Sequence, residues 1–132
     1  HQLLIYPVID AGQASASYRE NADGYLLTAV GMKMFWDLYL GESSEAVSSL
    51  ASPDQAASLV GLPTATVLTA QYDPLRDEGE IYAERLREAG NQVELRRWDG
   101  VFHGFVGFAD RVPKGKEALL FSAQRLRESF DA

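Results

Sequence analysis

Cysteine is absent from the 132 residues and histidine occurs only twice. The first absence excludes disulfides and thiolate chemistry; the second leaves too few imidazoles for a His-rich zinc site. Basic residues are also scarce. Twelve Lys and Arg against nineteen Asp and Glu leave a formal charge of −7, which argues against nucleic acid or an anionic membrane as partner, since both are bound by clustered cations. No run approaches the roughly eighteen continuous apolar residues of a membrane span, and the opening residues carry no basic leader region. The compartment is left open by these features, with the cytoplasm as the expectation. Glycine-rich phosphate loops of the G-x-G-x-x-G or G-x-x-x-x-G-K kind are missing, which removes the main support for a nucleotide-binding domain. There is no internal repeat and no low-complexity segment.

What is present is one domain's worth of chain, 46% apolar, enough for one core and not for two. Residues 2 to 6 form an apolar run that Pro7 ends by removing a backbone donor, so they read as a strand. Asp10 to Asp23 is rich in Ala, Ser and Gly without a sustained period and reads as a loop. Thr28 then caps a helix on which Met32, Phe35, Trp36 and Tyr39 recur at helical spacing, a stripe that suits core packing better than a pocket. Gly41 stops it, and Ser43 to Pro53 is a polar connection.

Thr66 to Thr69 is a short β-branched run between Pro63 and Asp73-Pro74, the pattern of a buried parallel strand. Asp77 and Glu80 have the spacing of a capping box, with Asp77 accepting from the Glu80 amide. The helix they open runs to about Ala89 and presents Ile81, Tyr82, Leu86 and Ala89 on one face, with Glu84, Arg87 and Glu88 in solvent. Gly90 supplies its stop, and a strand from Val93 to Trp98 follows. From about Lys114 a last helix carries Leu119, Ala123, Leu126 and Phe130 on one side. Alternating strands and helices with connections too long for hairpins predict an α/β layer of three parallel strands, flanking helices and right-handed crossovers.

Two residues carry candidate chemistry. Asp73 lies just past the central strand, and His103 follows the next one through Asp99-Gly100-Val101-Phe102. Loops at the carboxyl ends of parallel strands are where open α/β sheets keep their ligands. Taken singly, Asp73 reads as an Asp-Pro turn residue, and His103 as a loop histidine among Phe102, Phe105 and Phe108. Taken together, they sit on loops after strands about 4.8 Å apart, close enough for the carboxylate to orient the imidazole through its Nδ1 proton. Gly100, Gly104 and Gly107 let the histidine loop bend.

The segments GYLLT (Gly24 to Thr28), FW (Phe35, Trp36), SP (Ser52, Pro53), GLP (Gly61 to Pro63), DPLRDEG (Asp73 to Gly79) and FHGF (Phe102 to Phe105), in this order and spacing, resemble the hormone-sensitive-lipase-like esterases of the α/β-hydrolase fold. The resemblance covers essentially the whole chain. It implies carboxylic-ester hydrolysis, with Asp73 matching the triad acid, His103 the general base, and no metal or organic cofactor. Phe102, Phe105 and Val106, beside the base, are candidates for the apolar wall of a substrate site, with ordinary core packing as the alternative.

The chain departs from the family in one respect. No Ser has Gly at both i−2 and i+2, so the G-x-S-x-G nucleophile elbow is missing, and so is an HGGG-like oxyanion loop; Ser43 and Ser44 in GESSE fail the pattern. In family members both motifs precede the strand that matches Leu3 to Tyr6. Residues 1–132 therefore resemble the C-terminal portion of one α/β-hydrolase domain, without elbow, oxyanion loop or cap, and supply Asp and His but no Ser. The expected partners are a small-molecule ester and, over the edge of the first strand, either the missing N-terminal half or a second copy. Two other readings stay open. A non-catalytic fragment or subunit pairing with a complementary chain would also lack the serine, and a serine peptidase would place Asp and His in the same way.

Overall fold

The computed structural model describes residues 1–41 and 48–131. In chain order they form β1 (Gln2–Ile5), α1 (Ala16–Glu20), α2 (Ala29–Leu40), a 3-10 turn at Pro53–Gln55, β2 (Ala65–Tyr72), α3 (Arg76–Glu88), β3 (Val93–Phe102), a second 3-10 turn at Phe105–Phe108, and α4 (Pro113–Phe130). The three strands are parallel in the order β1-β2-β3. Ser43 and Ser44, and with them much of the polar connection read from Ser43 to Pro53, lie outside the described residues. Among the described residues no helix is long and apolar enough to cross a membrane.

The central strand is buried from Ala65 to Ala70 without interruption. That is the burial a parallel strand acquires when helices cover both faces. On one face Ala65 and Val67 meet Tyr82, Ala83 and Leu86 of α3. On the other, Leu68 and Ala70 meet Trp98, Val101, Phe105 and Ala118 of α4. A third cluster of Tyr18, Met32, Trp36 and Leu75 joins α1 and α2 to the residue before α3.

Three expectations need correction, beyond Ile81, which α3 leaves exposed while Tyr82, Ala83 and Leu86 pack on the sheet. The Asp10 to Asp23 stretch contains α1, a single helical turn too short for hydrophobic periodicity to reveal. The capping box does not form: α3 begins at Arg76 and its Asp77 accepts from the Ser17 amide at 2.8 Å. A tertiary acceptor site for Asp77 has displaced the local one. The third concerns α4, which buries Gly115, Ala118 and Ser122, while Leu119 and Phe130 are exposed. Close approach is the reason. A Cβ added at Gly115 would stand 2.5 Å from the Phe105 carbonyl oxygen, so only the small-residue face of the helix fits against that turn. Large apolar residues also remain exposed on α2, among them Val30, Leu38 and Tyr39.

The turn after β2 and the chain after β1 are tied together by the start of α3. Asp77 holds Ser17, whose hydroxyl donates to the Pro74 carbonyl at 2.6 Å. Glu78 is buried and its Oε1 accepts from the amides of Ile9 at 2.6 Å and Asp10 at 3.2 Å. Gly79 lets Pro7 lie alongside, since a Cβ there would stand 3.4 Å from the proline Cδ and 3.2 Å from Thr69 Cγ2. Burial pushes the Glu78 carboxyl up from its ordinary 4.5 to about 7, against the opposing pull of the two amides.

Two outcomes follow from this packing. Gly115→Ala should lower stability by about 1–3 kcal/mol in a denaturant titration through overpacking, even though Ala favours a helix interior by about 1 kcal/mol. Glu78 keeps its proton in the folded chain where the unfolded chain has lost it. Its contribution to stability is therefore complete below pH 4.5 and is lost as pH rises through about 7. Melting temperatures taken across that window should fall with pH, and Glu78→Gln should flatten the slope.

Candidate active site

Asp73 leaves the carboxyl end of β2 fully buried, and each of its oxygens has a separate partner. Oδ1 accepts from the Leu75 amide at 2.9 Å, the local bond expected of an Asp-Pro turn. Oδ2 stands 2.8 Å from His103 Nδ1. The turn bond and the expected contact with the imidazole are thus both made, one on each oxygen. Its carbonyl is held too, accepting from Asn21 Nδ2 at 3.2 Å and from the Arg76 amide at 3.2 Å. With Asp77 and Ser17, these bonds make α1 a brace for the acid.

His103 follows β3 directly, because that strand runs to Phe102 and not only to Trp98. Trp98 to Phe102 spans four steps of β3 opposite the two from Ala70 to Tyr72 on β2, so the expected Asp99-Gly100 break is a bulge inside the pairing. Gly100 takes φ 74° there and donates its amide to Gln71 Oε1 at 2.7 Å. Gly104, at φ 83°, turns the chain immediately after the histidine. The imidazole keeps 23% of its side-chain surface exposed and packs on the Tyr6 ring, centroids 4.5 Å apart. With Asp73 accepting at Nδ1, the neutral ring carries its proton there and leaves Nε2 as a base. Burial, and after it the Asp73 charge, push the Tyr6 phenol up, so it stays neutral.

A cavity of about 560 Å³ opens beside His103, walled by Val8, Leu27, Met32, Phe35, Trp36, Tyr39, Ala51 and Leu75. The α2 stripe expected to be core is therefore shared. Met32 and Trp36 are buried, whereas Phe35 and Tyr39 are exposed and complete the wall. The residues expected to form that wall lie elsewhere. Phe105 is fully buried among Leu68, Trp98 and Ala118, Val106 packs against the same cluster, and Phe102 packs on Phe108. After the turn at Gly104, Phe105 and Val106 enter the cluster of Leu68, Trp98 and Ala118 and do not line the cavity. A smaller polar cavity, near His1, Thr66 and Arg125, lies at the opposite ends of the strands. Among the described residues no three His, Cys, Asp or Glu side chains gather into a metal-binding group.

Sequence reasoning did not find Glu78, Ser17 or Asn21 as supports, nor Tyr6 as a neighbour of the base. Each acts across 50 or more positions of chain, as in the separations of 69 for Glu78 with Ile9 and 52 for Asn21 with Asp73. No local pattern encodes such a pair. The one available signal was Tyr6 itself, a large aromatic placed immediately before a proline at a strand end.

The family described as alpha/beta hydrolase fold matches residues 1–107. Carboxylesterase NlhH of Mycobacterium tuberculosis is 40% identical over 134 residues, covering 99% of this chain and 42% of that protein. Esterase LipI of the same organism is 39% identical, covering 89% of this chain and 37% of its own length. Among solved structures, an ester hydrolase from the metagenome of Lake Arreo, complexed with a derivative of bipyridine phosphonate, superposes with a TM-score of 0.92 at 40% identity. It covers 99% of this chain and 42% of that one. A thermostable carboxylesterase cloned from a metagenomic library gives 0.89 at 41% identity, covering 96% and 44%. This chain thus spans about two fifths of the length of these relatives. On the family match over residues 1–107, the chain belongs to the hormone-sensitive-lipase-like esterase family of the α/β-hydrolase fold.

Proposed function

We propose that this chain supplies the acid and the base of a Ser-Asp-His carboxylesterase, and that the serine and the oxyanion donors come from a segment outside residues 1–132. The observation that carries the reading is the 2.8 Å contact from His103 Nδ1 to Asp73 Oδ2, made by a carboxylate with no solvent exposure. Buried and bonded in this way, Asp73 selects the tautomer with a free Nε2. That nitrogen takes the proton of the serine hydroxyl as its oxygen attacks the ester carbonyl. Asp73 stabilises the imidazolium without accepting its proton, and His103 then protonates the departing alcohol. In the second half the same nitrogen deprotonates water as it attacks the acyl-enzyme carbonyl, then returns that proton to the departing serine oxygen as the acid is released. The cavity walled by Leu27, Phe35 and Trp36 takes the apolar part of the ester, next to the base.

A non-catalytic fragment that pairs with a complementary chain is the second reading, and the missing G-x-S-x-G elbow is what favours it. Hydrolysis of short p-nitrophenyl esters separates the two. The 132-residue chain alone should show no turnover beyond the background of free imidazole, because nucleophile and oxyanion donors supply most of the acceleration. Completed by a serine-bearing segment, it should hydrolyse the ester. In that enzyme Asp73→Asn should reduce kcat by about four orders of magnitude and His103→Ala by about six. A completed enzyme that kept its rate after His103→Ala would sink the assignment. Turnover by the isolated chain that disappeared with Ser43→Ala or Ser44→Ala would relocate the nucleophile.

A further inference from the structure

We propose that Tyr6 is a positioning residue for His103: its ring, carried by a left-handed residue at the end of β1, is the wall that keeps the imidazole turned toward Asp73. The two rings lie 4.5 Å apart at 56°, and the Phe105 ring lies 6.1 Å from the tyrosine ring. Asp73 grips the imidazole at one atom only, which leaves the ring free to pivot about that bond. A second surface is needed to stop the pivot, and Tyr6 is the aromatic ring in contact with it.

The backbone under this contact is strained. Tyr6 has φ 38°, a region that bulky side chains rarely enter, and the following Pro7 narrows its choices further. Such a conformation persists only where the surroundings over-determine it, and here they do. The Tyr6 amide donates to the Leu68 carbonyl at 2.6 Å. Pro7 is seated against Gly79, and Ile9 and Asp10 are held by the buried Glu78 carboxylate. Three successive attachments thus maintain a turn that an ordinary extended residue would not make, and the side chain at that turn touches the base. Asp73 and Tyr6 are the titratable groups that face the ring.

The catalytic meaning of this wall rests on reading His103 as the general base, but the confinement itself is measurable without turnover. The experiment is nitrogen-15 and proton NMR of His103 in the 132-residue chain, comparing wild type with Tyr6→Phe, Tyr6→Leu and Tyr6→Gly. Glycine accepts φ 38° without strain, so Tyr6→Gly removes the ring and spares the backbone. Wild type and Tyr6→Phe should show one tautomer with a protected, low-field Nδ1 proton. In Tyr6→Gly and Tyr6→Leu that proton should exchange about two- to tenfold faster, the range an aromatic pair contributes. Unchanged exchange in the glycine variant would overturn the proposal, as would loss of protection in Tyr6→Phe. If neither ring-deleting variant folds, cross-relaxation between the Tyr6 and His103 rings in the wild type decides the matter, and its absence refutes the contact.

Discussion

Everything in the site depends on one carboxylate with no water to fall back on. A buried Asp is costly unless its lone pairs are occupied, and Asp73 occupies them with an amide of its own turn and an imidazole thirty residues away. The turn bond is local and forms as soon as the strand-to-helix corner closes. The imidazole bond closes only when β3 pairs with β2 and the chain passes the bulge. Asp73 is therefore oriented on one oxygen by its neighbours in sequence and on the other by tertiary structure.

The DPLRDEG segment is best understood as a junction. Asp73 faces the base, the Pro74 carbonyl and Asp77 take α1, Glu78 takes the chain leaving β1, and Gly79 makes room for Pro7. Seven consecutive residues thus fasten three separate stretches of chain to the carboxyl edge of the sheet. Each type is demanded by a different partner, and little of it is interchangeable.

How much of this was legible beforehand follows from the range of each interaction. The strands, the parallel order, the Thr28 cap that accepts from Gly31 and the Asp73–His103 pair were all readable, because periodicity, punctuation and the position of a residue after a strand are local properties. The capping role of Asp77 was misread because a distant amide of Ser17 outcompetes the near one of Glu80. The α4 face was misread because the hydrophobic pattern assumes that large side chains seek the core, whereas a close backbone approach at Gly115 admits only small ones. The α2 stripe was half right. Its buried half packs as expected, and its exposed half faces a cavity that no helical period can distinguish from a core.

The apolar side chains left in water on α2 and α4 set a condition on the solution behaviour of this chain. Leu38, Leu119 and Phe130 are more than a third exposed, and the formal charge of −7 sets a mutual repulsion against their contact between copies. That repulsion vanishes near the isoelectric point of about 4.7, well below the pH of about 7 at which the buried Glu78 carboxyl takes up its proton. Acidification therefore protonates the buried Glu78 carboxyl before it removes the barrier between molecules.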